Sequence, residues 1–265
     1  MKDYSRFTEN LNISYDDHIL RVALNNPPMN CNTDTLHKAL TQIWEDINDD
    51  DDVNVVIFTG EGRAFSAGGD VKAMQYTIDN PHTWWKTVSE AKRIIFRMLE
   101  CEKPVIARVN GHAVGFGATL ALASDIIVSV DTALFGDPHV KAGLVAGDGG
   151  ALLWPQAIGF PRAKEALLLG ELIPAKEAAA MGLINHAVPA DQLDEKVNEI
   201  ADKLNRGAPR SIRWTKQVIN LQLRQIAQPA MDLGMATETL SMFEEEHVEA
   251  VKAFTEKRDP VFKKE

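Results

Sequence analysis

Two short glycine-bearing runs constrain this chain most: Arg63-Ala64-Phe65-Ser66-Ala67-Gly68-Gly69-Asp70, and Asn110-Gly111-His112-Ala113-Val114-Gly115-Phe116-Gly117. Each joins an apolar, strand-like run to a helix start. Val53 to Phe58 leads into the first and Val71 to Tyr76 follows it; Val105 to Val109 leads into the second and Ala118 to Ala123 follows. A glycine-rich turn from strand to helix leaves backbone N–H groups unpaired at the helix N-terminus, where they can bind developing negative charge. Two such turns converging on one point would make an oxyanion hole. One turn alone is ordinarily a tight connection that needs glycine for its dihedral angles. Neither run is a dinucleotide or phosphate fingerprint: Gly115-Phe116-Gly117 lacks the third glycine, and no Gly-Lys-Ser/Thr follows.

The pattern around the turns is mixed. Ile13 to Tyr15 and Ile19 to Leu24 flank Asp16-Asp17-His18 as a hairpin, and Thr33 to Ile47 carries an apolar helical stripe of Leu36, Leu40, Ile43, Trp44 and Ile47. Pro81 opens a helix predicted to run to Glu102. Ile126 to Val130 and Ala133 to Phe135 read as further short strands. After Gly159 the chain is predicted to be almost wholly helical, over 163–170, 175–182, 193–204, 211–223 and 230–256, with one strand at 184–188. Gly207-Ala208-Pro209 marks a division into residues 1–206, a core holding the site, and 207–265, a helical region with apolar faces that need a partner.

With those runs in view, the whole chain resembles the crotonase superfamily, the enoyl-CoA hydratases and isomerases. Pro27-Pro28-Met29-Asn30, Ala64 to Met74, Val109 to Asp125, Phe135-Gly136-Asp137-Pro138, Ala178 to Val188 and the tail Phe254 to Arg258 with Phe262 carry the likeness. It implies an α/β fold, a spiral of ββα turns with a C-terminal helical trimerisation region, assembled as a homotrimer or dimer of trimers. It implies an acyl-CoA substrate whose thioester oxygen sits between the backbone N–H groups of Gly69 and Phe116. Coenzyme A enters as part of the substrate, and no separate cofactor is implied. The substrate contacts carried over by motif position are Met29, Ala64, Ser66 and Ala67, then Asp70, Lys72 and Thr119, with Lys257 from the tail.

Bulk properties narrow the reading further. The formal net charge of −10 argues against a nucleic-acid partner, which needs a basic footprint, and asks for local cations at any CoA site. Arg258 reads as a solvated arginine and Asn48 to Asp52 as a soluble acidic loop. No stretch approaches a membrane span, and the N-terminus does not open like a signal peptide. Cys31 and Cys101 are too few for a disulfide scaffold or a zinc site, so a reducing cytoplasm and no metal are expected.

The chain departs from the hydratase pattern at both catalytic glutamates: Thr119 stands at one position and His139 at the other. Asp148, in Gly147-Asp148-Gly149-Gly150, lies where other members of the superfamily keep a catalytic Asp, though their Gly-Leu-x-x-Asp run has one residue fewer. His139 and Asp148 are nine residues apart, and the β-diketone hydrolases of the superfamily use a similar His/Asp pair. A neutral His can activate water near pH 7 while a carboxylate orients it, so His139 is the candidate base and Asp148 its orienter. Asp148 alternatively shuttles a proton, or merely caps the helix predicted from Gly149. His112 reads as structural, and Trp84, Trp85 and Met74 as packing residues. Three functions stand side by side: enoyl-CoA hydratase or isomerase chemistry through a thioester enolate; C–C or thioester hydrolysis by His139 and Asp148; and a catalytically silent CoA- or RNA-binding homologue.

Overall fold

The computed structural model describes residues 1–263. The hairpin forms from β1 (Leu11–Asp16) and β2 (Ile19–Leu24), joined by Asp17 and His18, which both take positive φ, as a tight two-residue hairpin turn demands. Helix α1 (Asp34–Asn48) follows, capped by the Thr33 hydroxyl, which accepts from the Leu36 amide, and it buries the expected apolar stripe. Three turns of one pattern come next. Strands β3 (Val55–Gly60) and β4 (Ala64–Ser66) lead to α2 (Val71–Asp79) and α3 (Trp84–Glu100). Strands β5 (Val105–Val109) and β6 (His112–Val114) lead to α4 (Phe116–Leu122). Strands β7 (Ile126–Val130) and β8 (Leu134–Gly136) lead, through a short 3-10 turn, to α5 (Gly150–Leu169). The chain closes with β9 (Ile173–Pro174), α6 (Ala175–Ala180), β10 (His186–Val188), α7 (Leu193–Asn205), α8 (Pro209–Met242) and α9 (Glu245–Glu256).

The first strand of each turn enters a six-stranded sheet, β1-β2-β3-β5-β7-β10, and the second enters a four-stranded sheet, β4-β6-β8-β9. Apart from β1/β2 and β8/β9 the pairing is parallel. Parallel strands need crossovers and covered faces, which is why β3 is buried along its whole length and reads as a continuous apolar run. The expected spiral of ββα turns is the observed architecture.

The boundaries shift where local chemistry overrides pattern. The strand expected from Val53 begins at Val55, and the acidic run before it is solvated except at Asp50. Asp50 is buried and accepts from the Tyr4 hydroxyl at 2.9 Å and the Lys2 amide at 2.7 Å, and its carbonyl takes the Lys103 ammonium at 3.0 Å. Pro81–Thr83 is a 3-10 turn, and the long helix starts at Trp84. Gly159, at φ 76°, kinks α5, whereas α8 runs for 34 residues straight through Pro229, joining segments predicted as separate helices. Lys216, on α8, donates to the Lys103 carbonyl at 2.8 Å and pairs with Asp125 at 2.7 Å; Asn220 donates to the Leu99 carbonyl at 3.0 Å. Those bonds lay the C-terminal helix against the core. Among the described residues no helix is long and apolar enough to cross a membrane.

Candidate active site

The parallel pairing of β4 with β6 sets the two glycine turns side by side at the carboxyl ends of their strands. Contact, as well as dihedral angle, dictates glycine here. A Cβ on Gly68 (φ +80°) would lie 2.6 Å from the Val114 carbonyl and 3.3 Å from the Phe116 nitrogen, and one on Gly117 would lie 2.4 Å from the Ser66 carbonyl. Among the described residues the amides of Gly69 and Phe116 find no acceptor, and both residues line one cavity of about 120 Å³. Two free amides on adjoining turns can hold an oxyanion.

The residues expected around the first turn divide by position. Ser66 is buried; its hydroxyl donates to the Asn30 carbonyl at 2.7 Å and accepts from the Gly68 amide at 3.2 Å. The Ala67 amide donates to the Met29 carbonyl at 3.0 Å, and the Ala64 carbonyl accepts from Asn30 Nδ2 at 2.9 Å. Asp70 lines the cavity while its carboxylate caps α2. Met29 Sδ accepts from Arg63 Nε at 3.1 Å. Lys72 and Lys257 are exposed and lie outside the cavity wall, Lys257 as the left-handed residue that ends α9. Arg258, expected to be solvated, pairs with Glu249 and Glu256.

His139 opens the 3-10 turn after β8, and its ring adjoins the second glycine turn: Cε1 is 3.8 Å from where a Cβ on Gly115 would sit. Nδ1 is hydrogen-bonded to Asp137, and Nε2 lies 3.4 Å from Asp148 Oδ2. Asp148 Oδ1 accepts from the buried Thr119 hydroxyl at 3.4 Å. The structure therefore brings His139, Asp148 and Thr119 together, and Thr119 serves as wall and donor. Asp148 is no helix cap; Gly149 holds that place in α5 with no side-chain bond. Asp137 packs so closely on Gly150 that a Cβ there would lie 1.8 Å from its Oδ2, which puts its charge at the positive end of α5.

These neighbours decide the ionisation of His139. Burial alone would depress its pKa, but the carboxylates of Asp137 and Asp148 outweigh it and hold the imidazole well above its ordinary value of 6.5. Both ring nitrogens face carboxylates, which favours the protonated ring. The pairing of His139 with Asp148 expected from the sequence is present, with Asp137 added on the other nitrogen. One oxygen or nitrogen from each of Asp137, His139 and Asp148 lies within 4.8 Å of the others, yet each ring nitrogen faces its own carboxylate on a different side of the ring. The arrangement is a hydrogen-bonded clamp, not a convergent ligand set.

Several groups here were not visible as functional in the sequence. Asp137 lies inside a quoted motif but gave no sign of gripping the histidine two residues on. Glu238, on α8, is 4% exposed and lines the cavity; its Oε2 has no partner among the described residues. Burial first and the Asp148 charge second push its carboxyl well above the usual 4.5, which favours the protonated form. The one hint was Gly234, a mid-helix glycine one turn earlier. His37, on α1, lines the same cavity, and its Nδ1 lies 3.0 Å from Glu90 Oε2. Its place next to Leu36 in an apolar stripe hid it. Trp84 and Met74 also line the cavity, whereas Trp85 is exposed; His112 Nδ1 accepts from the Leu134 amide at 3.1 Å, a structural bond between β6 and β8.

Comparison with known proteins identifies the family. Residues 15–265 match the family model described as enoyl-CoA hydratase/isomerase. The chain is 35% identical to the short-chain-enoyl-CoA hydratase of Clostridium acetobutylicum, over 86% of each protein. It is 32% identical to the 2,3-dehydroadipyl-CoA hydratase of Escherichia coli, over 95% of this chain and 97% of that one. Among solved structures, an enoyl-CoA hydratase/isomerase from Mycobacterium paratuberculosis superposes with a TM-score of 0.88 at 34% identity, covering 92% and 97% of the two chains. A β-diketone hydrolase from the cyanobacterium Anabaena, bound to (S)-3-oxocyclohexyl acetic acid, superposes with a TM-score of 0.83 at 31% identity, covering 92% and 98%.

Proposed function

Because this chain belongs to the enoyl-CoA hydratase/isomerase family, we propose that it performs that family's enolate chemistry in a hydrolytic form, cleaving the C–C bond between the two carbonyls of a β-dicarbonyl substrate. The observation that carries this reading is the placement of His139 between Asp137 and Asp148, beside the Gly115 turn. The amides of Gly69 and Phe116 hold one carbonyl oxygen. Water adds to the other carbonyl, the bond between them breaks, and its electron pair becomes the enolate in the oxyanion hole. His139 gives that enolate carbon its proton, and Asp137 and Asp148 keep the proton available at the ring. The products are a carboxylic acid and a ketone, with no redox change. A backbone oxyanion donor contributes roughly 10²–10³ in rate. The neutral carboxyl of Glu238 supplies one more hydrogen-bond donor to the cavity without adding charge. Likeness to the β-diketone hydrolase supports the reading.

Hydration of an enoyl-CoA is the second reading, favoured by hydratase relatives at 32–35% identity. It needs a water-activating group in place of the two glutamates. A homotrimer or dimer of trimers belongs to either reading. The exposed apolar residues Trp214, Val218 and Leu221, on one side of α8, give such an assembly a face. A cytoplasmic setting belongs to both as well.

Mass spectrometry of the products separates them. With pentane-2,4-dione we expect acetate and acetone, and with crotonyl-CoA no change. Gain of one water on intact crotonyl-CoA with the dione untouched would establish the hydratase reading instead. Release of free CoA would mark a thioester hydrolase, and no turnover of either a silent binder.

A further inference from the structure

Each ring nitrogen of His139 faces a carboxylate, which favours the protonated ring and its use as a proton donor. Hydrolysis also needs a base for water. Asp148 is engaged at both oxygens, by His139 and by the Thr119 hydroxyl, and burial favours the protonated form of the Glu238 carboxyl. The cavity holds one other histidine. His37 is 5% exposed, and its ring packs against that of Phe116 at a centroid distance of 5.3 Å, so it stands one side chain from an oxyanion amide. Its Nδ1 lies 3.0 Å from Glu90, which is itself largely buried on α3. A carboxylate only accepts, so Nδ1 carries the hydrogen, which leaves Nε2 as the nitrogen placed to take a proton. Nε2 has no protein partner among the described residues, and His37 lines the cavity.

We propose that His37, held in one tautomer by Glu90, is the general base that takes a proton from the attacking water. The assignment rests on the hydrolytic reading above and completes it. The water O–H bond breaks towards His37 Nε2 as the water oxygen bonds to the carbonyl carbon outside the oxyanion hole. The resulting alkoxide reforms C=O and expels the enolate, which takes its proton from His139. The carboxylic acid ionises on release, and the proton on His37 passes to solvent as His139 regains one. Electrons and protons balance with no further reactant. The two histidines thus divide the work by the number of carboxylates each faces.

The charged groups around His37 are few. Glu90 and Lys86 come from α3, with Lys86 3.9 Å from Glu90 and 3.6 Å from Asp34 on His37's own helix; His139, Asp148, Glu238 and Asp70 lie around the cavity. Steady-state cleavage of pentane-2,4-dione across pH tests the assignment. His37→Ala should lower kcat roughly 10²–10⁴-fold, the usual contribution of a general base, and remove the acid limb of its pH profile. Added imidazoles should restore turnover in order of their basicity, which no packing role explains. Glu90→Leu frees the tautomer and should cost at least tenfold, while Glu90→Gln, which keeps an acceptor, should recover most of that; this pair decides the matter if His37→Ala does not fold. An unchanged kcat in His37→Ala, or in Glu90→Leu where that pair decides, overturns the base and leaves the hydrolytic reading standing. Rescue indifferent to basicity does the same. No cleavage by the wild type overturns both.

Discussion

Gly147 and Gly234 meet backbone to backbone. A Cβ on Gly147 would lie 2.2 Å from the Gly234 carbonyl oxygen, and one on Gly234 would lie 2.7 Å from that of Gly147. The loop that carries Asp148 thus rests directly on α8, and Glu238, one helical turn past Gly234, lines the cavity. The C-terminal region, expected to serve oligomerisation from residue 207 onward, also builds the site.

Gly147→Ala should push the loop off the helix. Its new methyl meets backbone, which cannot rotate away, so a cost of about 1–3 kcal/mol is expected in urea unfolding. Turnover should fall more than stability alone explains, because Asp148 and Glu238 both shift.

Asp148→Asn should lower the pKa of His139 towards 6.5, read from its ring-proton NMR titration. A histidine whose pKa is raised on folding stabilises the fold below its unfolded value and loses that contribution as pH rises through the folded value. The stability gap between wild type and variant should therefore be widest below about pH 6.5 and narrow as His139 deprotonates in the wild type. Turnover should fall roughly 10²-fold.

Glu238→Gln should stabilise the protein at neutral pH. The unfolded chain ionises Glu238 near 4.5 while the folded chain holds it neutral, so folding loses stability between those two pKa values. The advantage of the variant should grow as pH rises from about 4.5 and level off once the wild-type carboxyl ionises, as read by urea unfolding at successive pH values.

Lys216→Met should destabilise by roughly 2–4 kcal/mol. It leaves Asp125, which also accepts from the Val105 amide at 2.7 Å, without its cation, and a partly desolvated carboxylate that loses its partner is costly. The Asp125 side chain keeps 22% exposure, which moderates the loss. Adding Asp125→Asn should recover part of it.

Much of this molecule was legible in its residues. The glycine turns, the hairpin and the stripe of α1 were visible because each states a local demand: a positive φ, a close approach, a helical period. His139 and Asp148 were visible as polar residues in the loops after β8. What the sequence does not contain is the company a group keeps. His139 reads as a base because its residue type titrates near neutrality; Asp137 and Asp148 on its two nitrogens favour the protonated ring. Lys72 sits next to the first turn in sequence, yet α2 leaves it exposed and outside the cavity wall.

The sequence by itself determined the family and the spiral of ββα turns, because those depend on short-range backbone geometry written in residue type. Only the tertiary structure decided which carboxylates each histidine faces, and that α8 reaches the site. Ionisation is set by burial and by charges within a few ångströms. For Glu238, as for His37 and Glu90, those neighbours come from segments far apart in the chain.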